Sequence, residues 1–298
     1  MNGVRYHVEH VSCYRYEAPV QSCVMTLCLR PREDAGQSLQ GFEITTEPTA
    51  LLNAQTDCYG NTHHVFNLHH QHDELRIEMH SDVRSPVPDP LPLALPRDAW
   101  REARSWANSF DHWDFASPSA LTRPTSTLDA FIDHHQVVPV ADPLTDLLRL
   151  SSTLNRVFRY EPGTTTAEST TEHILETGGG VCQDYAHVMI AIARSWGIPS
   201  RYVSGYLAEA TLNPETSVGT HAWVECLLPG IGWLGFDPTN NALADELYIR
   251  VGIGRDFRDV SPTRGVRHGG GKTELEVEVR VRRLEGCACD CGSQEGAP

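Results

Sequence analysis

The sequence predicts an α+β protein in two parts, and three features carry that prediction. Residues 1–85 alternate apolar and polar side chains with a period of two. Residues 97–196 place apolar side chains at helical spacing, and strand-like alternation returns after residue 200. At 298 residues the chain is long enough for two domains, each with a core of its own.

In the first part, Tyr6, Val8, His10 and Ser12 share one face of a strand, opposite Arg5, His7, Glu9 and Val11. The same period recurs through 23–29 and 42–46. Asp57-Cys58-Tyr59-Gly60-Asn61 marks a turn, and 63–70 with 75–83 are expected to form a hairpin joined through Gln71-His72-Asp73-Glu74. The proline-dense stretch 86–96 suits an extended linker.

Helices are then expected at 97–109, 127–135 and 143–157, with a short one around Thr171–Glu176 that Gly178-Gly179-Gly180 must break. A further helix begins at Cys182, with Tyr185, Ala186, Met189, Ile190, Ala193 and Trp196 on one face, and Gly197-Ile198-Pro199 stops it. Strands follow at 201–208, 221–228, 233–236 and 247–251. In 273–283 Glu and Arg alternate with Leu275, Val277, Val279 and Val281, a late strand expected to return to the N-terminal module.

Composition excludes several classes of partner. Lys and Arg number 24 against 39 Asp and Glu, a formal net charge of −15, whereas nucleic acid or an anionic membrane calls for a cationic face. No apolar run approaches the ~18 residues of a membrane span, and the N-terminus lacks the apolar core of a secretory signal. The expected compartment is the cytoplasm, where Cys13, Cys23, Cys28 and Cys58 read as reduced, half-buried thiols. Cys287, Cys289 and Cys291 lie too close together for the usual zinc half-site and read as an oxidation-prone tail. His63, His64, His69, His70, His72, His134 and His135 invite a metal reading, but no Cys or carboxylate of suitable spacing joins them. They are expected to be solvated surface histidines.

One constellation carries chemistry. Cys182 stands in the first turn of a helix entered from a glycine loop, where unpaired backbone N–H groups and the helix dipole favour a thiolate and can hold an oxyanion. Such a nucleophile needs a base, and the base needs orienting. His221 opens one strand and Asp237 closes the next, with Gly230-Ile231-Gly232 between them. Pairing of the two strands would set the imidazole beside the carboxylate. Trp223, two residues beyond His221, shares its strand face and is equally compatible with a substrate tunnel wall or with core packing. Asp184 and His187 lie near the helix start. Asp184 could tune the thiol, while His187, five positions on, is expected to be structural.

Gly180-Val181-Cys182-Gln183-Asp184-Tyr185-Ala186-His187, the segments 197–206 and 221–225, and Gly235-Phe236-Asp237-Pro238-Thr239-Asn240 together resemble the bacterial members of the transglutaminase-like superfamily. The β-rich N-terminus is similar to the domain preceding the catalytic core in those proteins. The resemblance implies a papain/transglutaminase-like α+β core of helices packed on an antiparallel sheet. It also implies Cys182 as nucleophile, His221 as general base and acid, and Asp237 as the residue fixing the imidazole. Gln183 departs from the Arg common in these relatives. On this reading 1–85 is the β-rich domain, 86–96 the linker, 97–265 the catalytic domain, 266–285 a C-terminal strand and 286–298 a disordered tail. The expected reaction is hydrolysis of a peptide or protein amide through an acyl-thioester, with no metal or organic cofactor required. Acyl transfer to an amine, and a non-catalytic interaction module, are the alternatives.

Overall fold

The structure, a computed structural model, describes residues 3–96, 98–163, 169–208 and 219–284. The tail with Cys287, Cys289 and Cys291 lies outside these residues.

A long strand, β1 (Gly3–Leu27), organises the N-terminal sheet, followed by β2 (Ser38–Glu47), β3 (Asn53–Thr56), β4 (Thr62–Leu68) and β5 (His72–Pro86). The sheet order is β2-β5-β1-β4-β3. The expected hairpin of 63–70 with 75–83 does not form. Val20 pairs with His72 and Cys23 with Leu68, so β5 and β4 follow one another along the same edge of β1. The reason is length: β1, at 25 residues, can satisfy both segments at once, and the Gln71 connection only kinks them.

The middle of the chain is helical: α1 (Ala99–Trp106), α2 (Trp113–Ala116), α3 (Ser126–His135) and α4 (Pro143–Val157). Asp142 caps α4, accepting from the backbone N–H of Leu144 and Thr145, with Pro143 in the first turn. A two-residue strand, β6 (Arg159–Tyr160), precedes α5 (Thr171–Thr177). That helix ends on Gly178, whose φ of +70° is available to glycine without strain. Then β7 (Gly179–Gly180) leads into α6 (Cys182–Ser195).

Buried on nearly all sides, α6 packs Val188, Met189, Ile190 and Ile192 among Leu147, Leu150 and Leu154 of α4 and the inner face of the second sheet. Each such side chain contributes about 1.5–3 kcal/mol on burial. That sheet consists of β8 (Ser200–Leu207), β9 (His221–Leu228), β10 (Gly232–Asp237), β11 (Ala242–Leu243) and β12 (Tyr248–Gly254), antiparallel throughout, in the order β11-β10-β9-β8-β12.

After the short α7 (Phe257–Val260) the chain returns to the first sheet as β13 (Thr263–Gly269) and β14 (Thr273–Leu284). Both pair with the edge of β1 left free by β4 and β5, so the late strand does join the N-terminal module. The two sheets share a core in which Tyr206, Ile249 and Val251 pack with Leu27, Phe66 and Ile77. The edge of β12 that pairs with no strand is sealed by side-chain amides from the first module. Gln37 exchanges two hydrogen bonds with the backbone of Arg250, and Asn61 does the same with Ile253, at 2.7–2.9 Å. Each amide stands in for a neighbouring strand, which blunts an edge otherwise open to aggregation.

Several smaller expectations change. Cys58 is exposed rather than half-buried, while Cys13, Cys23, Cys28 and Cys226 are buried free thiols. His64 and His72 are buried rather than solvated: His64 stacks on Phe42, and His72 Nδ1 donates to the backbone carbonyl of His70 at 2.9 Å. No described helix is long and apolar enough to cross a membrane.

Candidate active site

The three side chains singled out in the sequence come from two different layers. Cys182 is the first residue of α6. The carboxylate of Asp184 accepts from the backbone N–H of Val181 at 2.8 Å, which fixes the first turn and with it the sulfur's position. Beside this turn runs the β6–β7 ribbon: Arg159 pairs with Gly179 and Tyr160 with Gly180, in parallel. The ribbon carries Tyr160 into the neighbourhood of the sulfur. Burial raises the Tyr160 phenol pKa, and the charge of a Cys182 thiolate raises it further.

His221 and Asp237 belong to the antiparallel pair β9–β10. Phe236 opposes Val224, so Asp237 lies level with Trp223 and meets His221 diagonally rather than head-on. The result is a hydrogen bond of 2.7 Å from His221 Nε2 to Asp237 Oδ2. Nε2 being so engaged, Nδ1 is the nitrogen left to the sulfur, and the His221 ring is within hydrogen-bonding reach of Cys182.

Asp237 is fully buried and heavily served. Besides His221, its carboxylate accepts from Asn240 Nδ2 at 2.7 Å, Tyr248 Oη at 2.8 Å and the backbone N–H groups of Thr239 and Asn240 at 2.9 and 3.2 Å. Burial alone would raise its pKa, but the hydrogen bond from His221, the imidazolium charge and these further donors outweigh it, and the net shift is downward. On the imidazole burial acts in the opposite sense. Desolvation would depress it, yet the hydrogen bonds to Asp237 and Cys182 lift it to about 10. The buried Asp237 carboxylate therefore favours the protonated form of the His221 ring.

Trp223 is fully buried. Its ring lies nearly parallel to His221 (24°, centroids 6.2 Å apart) and edge-on to Tyr248 at 5.2 Å. It meets the imidazole from behind, with no surface turned to solvent as a substrate wall requires. Gly205 makes room for it, since a Cβ there would fall 2.7 Å from the indole and 2.1 Å from the Ile249 carbonyl oxygen. The open side of His221 faces instead a cleft of about 390 Å³ lined by Tyr160, Leu207, Thr220, Thr239 and Asn240. The sequence gives no signal for Tyr160, and Asn240 falls within the 235–240 motif without a role of its own. Neither has a catalytic residue type at a telling spacing, although Asn240 stands three residues beyond Asp237, where a capping amide is common.

His187 is structural, as its position five residues past Cys182 suggested. It is fully buried, accepts from the backbone N–H of Phe257 and lies tilted against the Tyr202 ring, and burial pushes it down to about 4. Arg201 is occupied elsewhere, paired with Glu225 at 2.7 Å and stacked on Trp233.

Comparisons with known proteins agree with this architecture. Residues 6–84 match the model of the bacterial transglutaminase-like N-terminal region, and residues 133–238 that of the transglutaminase-like superfamily. An uncharacterized protein of Mycobacterium leprae is 33% identical over 285 residues, covering 94% of this chain and 99% of its own length. A Mycobacterium tuberculosis protein is 33% identical over 305 residues, covering 95% and 94%. A protein-glutamine gamma-glutamyltransferase of Pseudomonas aeruginosa is 36% identical over 96 residues, covering 30% of this chain and 14% of its own. Among solved structures, a candidate cysteine protease from Cytophaga hutchinsonii superposes with a TM-score of 0.75 at 17% identity, covering 96% of this chain and 92% of that one, a likeness of fold. With near-full-length relatives at this identity and both family models placed in order along one chain, the protein belongs to the transglutaminase-like superfamily, with that superfamily's N-terminal region in front of its core.

Proposed function

We propose that the protein is a cysteine-nucleophile amide hydrolase acting on a peptide or protein substrate through a Cys182–His221–Asp237 triad. The observation that carries this reading is the hydrogen bond from His221 Nε2 to the buried Asp237 carboxylate, which leaves Nδ1 for the thiol of Cys182 at the start of α6. The Cys182 sulfur attacks the amide carbon and the carbonyl oxygen takes up the negative charge. Backbone N–H groups at the start of α6 are the donors offered to that oxygen. His221 then gives its proton to the leaving nitrogen, the C–N bond breaks, and an amine departs from an acyl-thioester. Next His221 takes a proton from water, hydroxide attacks the thioester, and the carboxylic acid leaves with the thiolate restored. Asp237 keeps the ring in one orientation and compensates its charge. No step calls on a metal or an organic cofactor.

Hydrolysis is favoured over transfer because Tyr160, at the mouth of the cleft, is 56% exposed, which leaves water an approach to the thioester. The free thiols at Cys13, Cys23, Cys28 and Cys226 fit a reducing, cytoplasmic setting.

Transfer to an amine is the second reading, supported by the 36% identical segment shared with a gamma-glutamyltransferase. Incubation of the full chain with a glutamine-containing peptide and a labelled primary amine separates the two. Release of free acid in excess of labelled peptide is expected; labelled peptide in excess would establish the transferase. Turnover that survives in Cys182→Ala would end both readings.

A further inference from the structure

Away from the cleft, the outer face of the N-terminal sheet carries ligating side chains that the triad does not use. The alternation that buries Tyr6, Val8 and His10 sends His7 and Glu9 to the opposite face. On β5 the same alternation turns His80 and Asp82 outward between the buried Met79, Ser81 and Val83. The register of β1 with β5 sets Glu9 opposite His80 and His7 opposite Asp82, so the four side chains occupy the corners of one cross-strand square.

Within that square, one donor atom from each of His7, Glu9 and His80 lies within 4.8 Å of the other two. His7 Nε2 is 3.5 Å from a Glu9 carboxylate oxygen, and the two imidazoles stack with centroids 5.9 Å apart. Asp82 plays a different part. Its Oδ1 stands 2.7 Å from His7 Nδ1 and accepts that N–H, which leaves the Nε2 lone pair directed towards Glu9. A histidine whose far nitrogen is held by a carboxylate is the usual arrangement of a metal-ligating imidazole, because the carboxylate fixes tautomer and orientation and raises basicity.

We propose that His7, Glu9 and His80 bind one zinc-class divalent transition cation, with water as the fourth ligand and Asp82 positioning His7. Two imidazoles and a carboxylate suit zinc, nickel or copper and not magnesium or calcium, which take oxygen ligands. Tetrahedral zinc holds its ligands at about 2.0–2.2 Å, which puts donors roughly 3.4 Å apart, so rotations of side chains already facing one another close the site. Bound there, the ion clamps β1 to β5.

The neighbouring charges oppose this only weakly. Arg282 lies 2.9 Å and Arg280 3.9 Å from the Glu9 carboxylate, but both guanidinium groups are nearly half exposed, and solvent weakens exposed pairs of this kind. Glu278 offsets Arg280 at 3.3 Å, and Glu43 on β2 stands opposite His80 on its other side.

The test is a zinc chloride titration by calorimetry on the full-length chain. Cys58→Ser, Cys182→Ala, Cys287→Ser, Cys289→Ser and Cys291→Ser are introduced together to remove competing thiol ligands. One equivalent of zinc is expected to bind and to raise the thermal midpoint, with no response to magnesium chloride. His7→Gln or His80→Gln should weaken binding at least about tenfold, and Asp82→Asn about 10–100-fold, with circular dichroism unchanged. Arg282→Gln should tighten it. The proposal is overturned if the thiol-depleted chain binds no zinc. It is equally overturned if binding persists undiminished in the correctly folded His7→Gln and His80→Gln variants, an outcome that would move the site to the other histidines.

Discussion

Asp237 accepts a 2.7 Å hydrogen bond from His221 Nε2 while four further donors, Asn240 Nδ2, Tyr248 Oη and two backbone N–H groups, crowd the same buried carboxylate. The arrangement keeps the carboxylate charged and the ring still. Asp237→Asn retains the shape and removes the charge, so kcat should fall by about 10²–10⁴ with KM changed little. Steady-state kinetics on the best substrate checks this, and a rate within twofold of wild type would mean that another group orients the imidazole.

The raised pKa of His221 makes a pH prediction. Protonation of the leaving nitrogen requires the imidazolium, so kcat/KM should fall on the alkaline side with a midpoint near 10. Asp237→Asn deletes the larger of the two hydrogen bonds that lift the pKa, and should move this limb to lower pH. The same group affects stability. With a folded pKa of about 10 against 6.5 in the unfolded chain, its contribution is complete below about pH 6.5 and is lost as pH rises through 10. The lowered Asp237 acts at the other end: its contribution is complete above about pH 3.8 and is lost as pH falls through its depressed folded value. Denaturant unfolding across pH, comparing wild type with Asp237→Asn, measures both.

Cys182 and Cys58 are both reachable by solvent, but only Cys182 has an imidazolium partner. Iodoacetamide should modify Cys182 at least about tenfold faster than Cys58, as read by mass spectrometry of quenched digests. His221→Ala should abolish the difference. Equal rates in the wild type would remove the ground for a special nucleophile.

Trp223 supports His221 from beneath and fills the slot left by Gly205. Trp223→Ala should cost about 3–5 kcal/mol of stability and lower kcat as the ring loses its backing. Gly205→Ala should be nearly as damaging, because the new Cβ meets backbone on one side and indole on the other. Chemical denaturation reads both.

Glu225 sits between two buried arginines, Arg201 at 2.7 Å and Arg250 at 2.9 Å, and Arg250 reaches on to Asp34 of the first module. Glu225→Ala leaves buried Arg201 without its carboxylate and Arg250 with Asp34 alone, and should cost about 3–5 kcal/mol. A loss below 1 kcal/mol would show that water replaces the carboxylate.

Much of this molecule was legible in the linear chain. Period-two alternation at Tyr6, Val8 and His10 marks β1, the helical face from Tyr185 to Trp196 marks α6, and Gly178 and Pro199 mark the breaks. These signals are local, set by backbone sterics and by which side of an element faces the core, so residues adjacent in sequence suffice to display them. The same holds for residue types with chemical meaning at Cys182, His221 and Asp237. Tertiary structure alone decided that 72–86 and 62–68 both pair with β1 rather than with each other. It also turned Trp223 inward, brought Tyr160 to the sulfur on a parallel ribbon and set His7 beside His80. Those outcomes depend on competition between distant segments for the same strand edges and the same buried volume, and that competition is resolved only when the whole chain packs.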